Sequence, residues 1–174
     1  LPFGKGHKAH ASALSLGLEK LLLSTCPPIN LVFLSTEMAE RATASLGAKR
    51  LARHHVHVLP NCSDLGELPP KEHTAAPSLV MTGRAGQQKN YALAARVLAH
   101  LPDTYTLTLC GAGTDTEAFQ SRISELVPAD VRARIVCTGS VGGVRPFLRR
   151  ADAYLLTSRY EGTPIGTLEA FEAG

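Results

Sequence analysis

Short apolar runs alternate along this chain with stretches in which apolar residues recur every three or four positions, and that alternation sets the predicted elements. Leu14, Leu18, Leu21 and Leu22 share one helical face, so a helix is predicted over Ala11 to Ser24, closed by Pro27 and Pro28. Ile29 to Leu34 reads as a compact buried strand. Ser35 or Thr36 then caps a helix with Glu37 and Glu40 in its first turn, where the helix dipole favours negative charge, and Gly47 stops it after Leu46. Val56 to Leu59 is a further strand. The next stretch holds Pro60, Asn61, Pro69, Pro70 and Pro77, lacks periodicity, and looks like a linker between domains.

Beyond it the pattern turns regular. Strands are predicted at Ser78 to Thr82, Tyr105 to Cys110, Arg134 to Thr138 and Ala153 to Thr157. Helices follow them at Asn90 to Leu101, Thr116 to Val127, Val144 to Arg150 and Thr163 to Ala173. Four strand–helix units with short apolar strands mean a parallel sheet covered by helices on both faces and wound right-handed. Ligands of such sheets bind outside the carboxyl ends of the strands. The candidate segments are therefore Gly83 to Lys89, Gly111 to Asp115, Gly139 to Val141 and Ser158 to Gly166.

Composition narrows the choice of chemistry. At 174 residues and 44% hydrophobic, the chain is long enough for one domain and part of another, with a sizeable core. The net charge of +3 is spread without a run of like charges, and aromatics make up only 5%, so neither a basic arm nor a stacking platform for nucleic acid is present. No apolar run approaches the ~20 residues that span a bilayer, since Ala11 to Leu23 is broken by Glu19 and Lys20. Cys26, Cys62, Cys110 and Cys137 form no C-x-x-C pair, so reduced and mostly buried thiols are expected. His7 and His10, and the group His54, His55 and His57, lack a Cys or carboxylate to complete a metal set and are expected to be solvated or packed. The chain starts at Leu1 and stops at Gly174 directly after a helical pattern, and it is read as part of a longer polypeptide.

Three of the strand-end segments carry chemistry. Gly83-Arg84 and Lys89-Asn90 place two cations five residues apart on a glycine-bearing loop, a guanidinium and an ammonium suited to two phosphates. Gly111 and Gly113 form a tight turn, but Thr116 replaces the third glycine of a dinucleotide fingerprint and no acidic residue ends the next strand, which disfavours a nicotinamide cofactor. In the last segment Thr163 is expected to cap a helix with Pro164 at its first position, so that free amides and a positive dipole face the site. Glu161 precedes that helix and Glu169 lies inside it; carboxylates beside a phosphate site suit sugar or ribose hydroxyls.

The run YEGTPIGTLEA, from Tyr160 to Ala170, resembles the E-x7-E signature of retaining glycosyltransferases of the GT-B fold, in particular glycosyltransferase family 4 (glycosyl transferases group 1). Gly83 to Asn90 is similar to that family's phosphate-binding segment, Leu107 to Gly113 to its strand-turn, Val136 to Gly139 to the strand ending beside the nucleoside, and Ala151 to Ser158 to the strand leading into E-x7-E. Val58 to Asp64 looks like its hinge, with Cys62 where the hinge usually has glycine. The resemblance covers about residues 30 to 174.

It implies a Rossmann-like α/β donor-binding domain at 78–174, cut short at its C-terminus, a linker at 61–77, and the tail of an N-terminal, Rossmann-like acceptor-side domain at 1–60. By the same resemblance Arg84 and Lys89, on the turn opened by Gly83, hold the diphosphate of a nucleotide-sugar, and Glu161 accepts from donor-sugar hydroxyls. Gly162, Thr163, Pro164, Ile165 and Gly166 touch sugar and phosphate through backbone, Glu169 binds the ribose diol, and Gly139, Ser140 and Val141 lie near the base. Arg84, Lys89 and Glu161 are the catalytic candidates. No metal or other cofactor is expected, and none of the five Asp residues forms D-x-D. The implied function is transfer of a sugar from a nucleoside diphosphate sugar to an acceptor hydroxyl with retention of configuration, the acceptor being a carbohydrate or lipid-linked glycan. A cytoplasmic location is implied, with peripheral membrane association of the full-length protein. The fragment alone is expected to be inactive, and a nucleotide- or phosphosugar-binding module of the same fold is the alternative.

Overall fold

The computed structural model describes residues 8–64, 66–67, 70–71 and 76–174, with side chains from Ala13 onward in the first helix. His7 and part of the predicted linker, including Pro69, lie outside the described residues, as does the side chain of His10. The chain divides into two compact units, Leu1–Asn61 and Cys62–Gly174.

The first unit holds α1 (Lys8–Thr25), β1 (Asn30–Phe33), α2 (Thr36–Leu46), α3 (Ala48–Leu51) and β2 (His55–Val58). Ser35 caps α2 by accepting from the Met38 amide at 3.2 Å, and Gly47, at φ 96°, ends it with its own amide on the Thr43 carbonyl. The strands pair in parallel from Asn30 opposite His55 to Phe33 opposite Val58. His54 is buried among them: its Nδ1 accepts from the Ile29 amide and its Nε2 faces the Leu23 carbonyl at 2.9 Å. The leucine face that marks α1 in the sequence is exposed, Leu14 by 69% and Leu22 by 63%. In this unit, then, periodicity reports a helix but not a core.

The second unit is a four-stranded parallel sheet in the order β5-β4-β3-β6, from β3 (Ser78–Thr82), β4 (Thr106–Cys110), β5 (Ile135–Gly139) and β6 (Ala153–Tyr154). Its helices are α4 (Tyr91–Ala99), α5 (Glu117–Ser124), α6 (Ala129–Ala133), α7 (Arg145–Arg150) and α8 (Ile165–Ala173). Side chains alternate across β3, so Leu79 and Met81 join one core with Ala94, Leu98, Leu107, Leu109 and Ile123, while Val80 joins a second with Leu148, Ala151 and Ala173. A strand buried on both faces needs an unbroken apolar run, which Leu79, Val80 and Met81 supply at the centre of β3. From β3 the chain steps outward through β4 to β5, then α7 returns it to the other side of β3. The winding reverses there, and the crevice between β3 and β6 is the switch point at which parallel sheets hold ligands.

Four sequence expectations differ from the structure. The strand expected to be buried at Ile29 to Leu34 forms as β1, but none of its residues is fully buried and Val32 is 54% exposed, because its sheet has only one partner strand, β2, among the described residues. The helix predicted to reach Val127 ends at Ser124, and a separate turn, α6, starts after Pro128, whose ring cannot continue α5. β6 is two residues long rather than five: Leu155 still donates to the Val80 carbonyl at 2.8 Å, but Thr157 has left the ladder to bond the Lys89 and Asn90 carbonyls. The thiols are free, yet only Cys110 is fully buried and Cys62 is exposed. Among the described residues no helix is long and apolar enough to cross a membrane.

Leu109, with no exposed surface, sits between strands and helices, whereas Leu22 faces outward. Leu109→Ala is expected to cost about 2–5 kcal/mol and Leu22→Ala no more than about 0.5 kcal/mol. Urea unfolding of both variants beside the wild type measures the contrast, and equal losses would contradict this placement of the core.

Candidate active site

The site grows from a close approach of two backbones. Gly111, at φ 152°, stands against Gly83, and a Cβ at Gly111 would lie 1.7 Å from the Gly83 carbonyl oxygen. The ends of β3 and β4 therefore press together as only glycine permits, tied by the Gly83 amide on the Cys110 carbonyl and the Ala85 amide on the Ala112 carbonyl, both at 2.8 Å. From that turn the Lys89 side chain runs back across Gly83, with its Cε within 2.4 Å of where a Cβ would stand.

The loop after β6 closes onto the loop after β3. The Arg159 amide donates to the Gln88 carbonyl at 2.8 Å, Gln88 donates to the Tyr160 carbonyl at 3.1 Å and to Glu161 at 3.4 Å, and Thr157 donates to the Lys89 and Asn90 carbonyls. Asn90 adopts a left-handed conformation (φ 55°) there, a strain that the Thr157 hydroxyl helps to hold. The outcome is an ion pair: Lys89 Nζ donates to Glu161 Oε1 at 2.9 Å, with side chains 20% and 17% exposed. Burial by itself pushes the Glu161 carboxyl up; the nearby Ser158 hydroxyl, the Lys89 ammonium and the Gln88 amide outweigh it and hold the pKa below its usual value. Ser158 Oγ is itself buried and meets no acceptor at regular hydrogen-bond geometry.

The remaining candidates surround this pair. Arg84 is exposed and makes no ion pair among the described residues, so the structure brings Lys89 and Glu161 together but leaves Arg84 apart from them. Helix α8 begins at Ile165, with Pro164 rather than Thr163 at the cap: Pro164 stays extended at ψ 110°, and its side chain offers no acceptor to the helix amides. Gly166 lets this helix approach the sheet, since a Cβ there would sit 2.4 Å from Thr82 Oγ1. Glu169 is half-buried in α8, and burial together with the charge of Glu172 pushes its pKa up. At the end of β5, Gly139 is fixed by donating its amide to Thr114 Oγ1 at 3.0 Å, while Ser140 is exposed and Val141 half-buried beside it.

Sequence reasoning passed over several residues of this edge. Tyr91, Thr114, Thr157 and Gln88 hold the loops, and the Asp115 carboxylate lies against Gly139. Tyr91 and Thr157 read as ordinary helix and strand residues, and their partners are eight or more positions away. A half-open cleft of about 490 Å³ lies nearby, lined by Gly86, Tyr91, Phe119, Arg122 and Arg159, but Lys89, Glu161 and Glu169 are not part of it. Two half-buried carboxylates and a lysine at a switch point suit a ligand with both hydroxyls and an anionic group.

Comparison with known proteins bears on this edge. The family model described as "Glycosyl transferases group 1" matches residues 76–174. No curated protein matches the chain in sequence. Among solved structures, Anabaena Alr3699/HepE in complex with UDP-glucose superposes with a TM-score of 0.72 at 15% identity, covering 96% of this chain and 48% of that one. WaaG, a glycosyltransferase involved in lipopolysaccharide biosynthesis, gives 0.65 at 18% identity, covering 82% and 42%. An S. aureus TarM mutant in complex with fondaparinux, alpha-GlcNAc-glycerol and UDP gives 0.69 at 14% identity, covering 89% and 30%. The fold is that of GT-B glycosyltransferases, and the chain spans less than half the length of these three proteins.

The lowered Glu161 pKa has a direct consequence for stability. A carboxylate whose folded pKa lies below its unfolded one adds stability above the unfolded value, ~4.3, and loses it as pH falls through the folded value. Glu161→Gln is therefore expected to be less stable than wild type by about 1–3 kcal/mol at pH 7, with the gap starting to close as pH falls through the unfolded value, ~4.3, and gone below the folded one. Urea unfolding across that range measures it, and a gap independent of pH would show that the pair contributes nothing through charge.

Proposed function

The chain belongs to the glycosyl transferases group 1 family, and from that premise we propose that it provides the donor side of a retaining glycosyltransferase of family 4. The full-length enzyme would move a sugar from a nucleoside diphosphate sugar to a hydroxyl of a carbohydrate or lipid-linked glycan. The observation that carries this reading is the Lys89–Glu161 pair at the switch point. A lysine held beside a carboxylate, with α8 starting four residues later, offers an anion and a polyol adjacent places on one surface.

Each residue then has a task that follows from its surroundings. Lys89, with Arg84 entering from its exposed position, neutralises the charge that grows on the departing diphosphate. Glu161 is kept ionised by its neighbours and so accepts from two sugar hydroxyls without titrating near neutral pH. Gly162 to Gly166 approach sugar and phosphate through backbone at the start of α8. Glu169, destabilised as an anion where it stands, gains most from a diol that donates to both its oxygens, the arrangement a ribose presents. Gly139, Ser140 and Val141 form the strand end nearest the base. Catalysis on such a surface is positioning plus electrostatic stabilisation, and no metal is invoked. The acceptor-side portion, the linker at 61–77 and the donor unit at 78–174 are assigned on the same basis.

The two carboxylates separate in binding experiments. Isothermal titration of UDP and GDP is expected to show affinity about tenfold weaker, about 1.4 kcal/mol, in Glu169→Gln, and not weaker in Glu161→Gln, because removing that charge frees Lys89 for the phosphates. Glu169→Gln is also expected to be no less stable than wild type at pH 7, since a carboxyl with a raised folded pKa adds stability only below its unfolded value. In the full-length enzyme Arg84→Ala and Lys89→Ala are expected to cut turnover about tenfold or more. Equal loss of diphosphate affinity in both Gln variants would refute the assignment of the pair, and normal binding with no turnover in the full-length wild type would favour the binding-module alternative.

A further inference from the structure

The Gly83–Arg84 peptide is held in an unusual way. Its carbonyl accepts a hydrogen bond from the Tyr91 hydroxyl and lies flat against Gly111. Tyr91 is 3% exposed, its ring packs edge-on against Phe119 at 5.5 Å between centroids, and burial pushes its phenol well above the usual range, so the hydroxyl stays a donor at any physiological pH. Among the described residues no peptide bond is cis. In a trans peptide the amide hydrogen points opposite to the carbonyl; with the carbonyl drawn inward to a buried tyrosine, the Arg84 N–H is turned away from the core. Gly83 and Ala85 donate their amides to β4 and its loop, but the Arg84 amide donates to nothing among the described residues. A fixed, unspent donor therefore stands between two bonded ones, on the loop whose lysine pairs with Glu161.

We propose that the Arg84 main-chain amide is an anion-binding contact of this site, and that Tyr91, through its hydroxyl, is the positioning residue that aims it. The inference rests on the donor-site reading above and adds to it a contact that no side chain supplies. An oriented amide binds a phosphate oxygen without reorganising, which a long exposed arginine side chain cannot do. Substituting the arginine side chain would leave this contact in place, so the loop binds anions through its backbone as well as through Lys89.

Titration of the 15N-labelled chain with inorganic pyrophosphate, followed by proton–nitrogen correlation spectra, tests this. In the wild type the Arg84 amide proton is expected to move downfield and saturate with binding. Tyr91→Phe keeps the ring contact and is expected to unfold at nearly the wild-type urea concentration, while binding pyrophosphate about fivefold more weakly and losing at least half of the Arg84 shift. Lys89→Ala is expected to weaken binding but keep the Arg84 shift at saturation. As a second route that leaves the fold intact, incorporation of 3-fluorotyrosine, a stronger donor, is expected to shift the Arg84 amide resonance in the unliganded chain. Pyrophosphate binding with an unmoved Arg84 amide would overturn the contact and leave the donor-site reading standing. Wild-type affinity and shift in Tyr91→Phe, or an Arg84 resonance indifferent to fluorination, would overturn the role of Tyr91. Absence of any pyrophosphate binding by the wild type would overturn both this inference and the reading it rests on.

Discussion

Everything at the carboxyl edge of the four-stranded sheet depends on two strand ends meeting without side chains between them. Because Gly111 has no Cβ, the Gly83 carbonyl rests where a methyl group would otherwise stand, and because Gly83 has none either, the stem of Lys89 folds back over the turn. That return path carries the ammonium to the loop after β6 instead of out into solvent. A single methyl at either glycine would separate the strand ends or displace the lysine, and the charge that organises the site would go with it.

The electrostatics follow from that geometry. Lys89 and Glu161 are each about four-fifths removed from solvent, so neither is comfortable alone, and each lowers the cost of the other's charge. Gln88 and the Ser158 hydroxyl add to the stabilisation of the same carboxylate, whereas Glu169, a turn into α8, faces another carboxylate and has its pKa raised. Two glutamates eight residues apart thus sit in opposite environments, one settled and one in want of donors. This contrast is a physical ground for giving them different partners on one ligand.

The two units show how much core each segment of the chain secures. In the second, β3 is buried on both faces, β4 buries its leucine face, and Leu107, Leu109 and Leu98 have no exposed surface. In the first, α1 packs against α2 and α3, the two strands pair only with each other among the described residues, and Leu14, Leu18, Leu21 and Leu22 remain exposed. A parallel pair is too narrow a sheet to bury a helix face.

Much of this was legible in the chain itself. Strand Ser78 to Thr82, the helix from Thr36 to Leu46 with its Ser35 cap and Gly47 stop, and the four strand–helix repeats are local facts, set by apolar runs, caps and breakers within a few residues of one another. The parallel winding follows from their order, and it was enough to select the strand-end loops and the residues Arg84, Lys89, Glu161 and Glu169. Other features depended on partners distant in sequence. Pro164 took the cap expected of Thr163, β6 stopped early because Thr157 bonds a loop 67 positions away, and Tyr91, a helix residue by pattern, became the anchor of the Gly83 carbonyl. The sequence by itself determined which elements form and which loops face the ligand edge, because those choices are made by neighbours along the chain. Only the tertiary structure decided that Lys89 meets Glu161 while Arg84 stands apart, because ion pairs and hydrogen bonds obey distances of about 3 Å that no spacing in the sequence encodes.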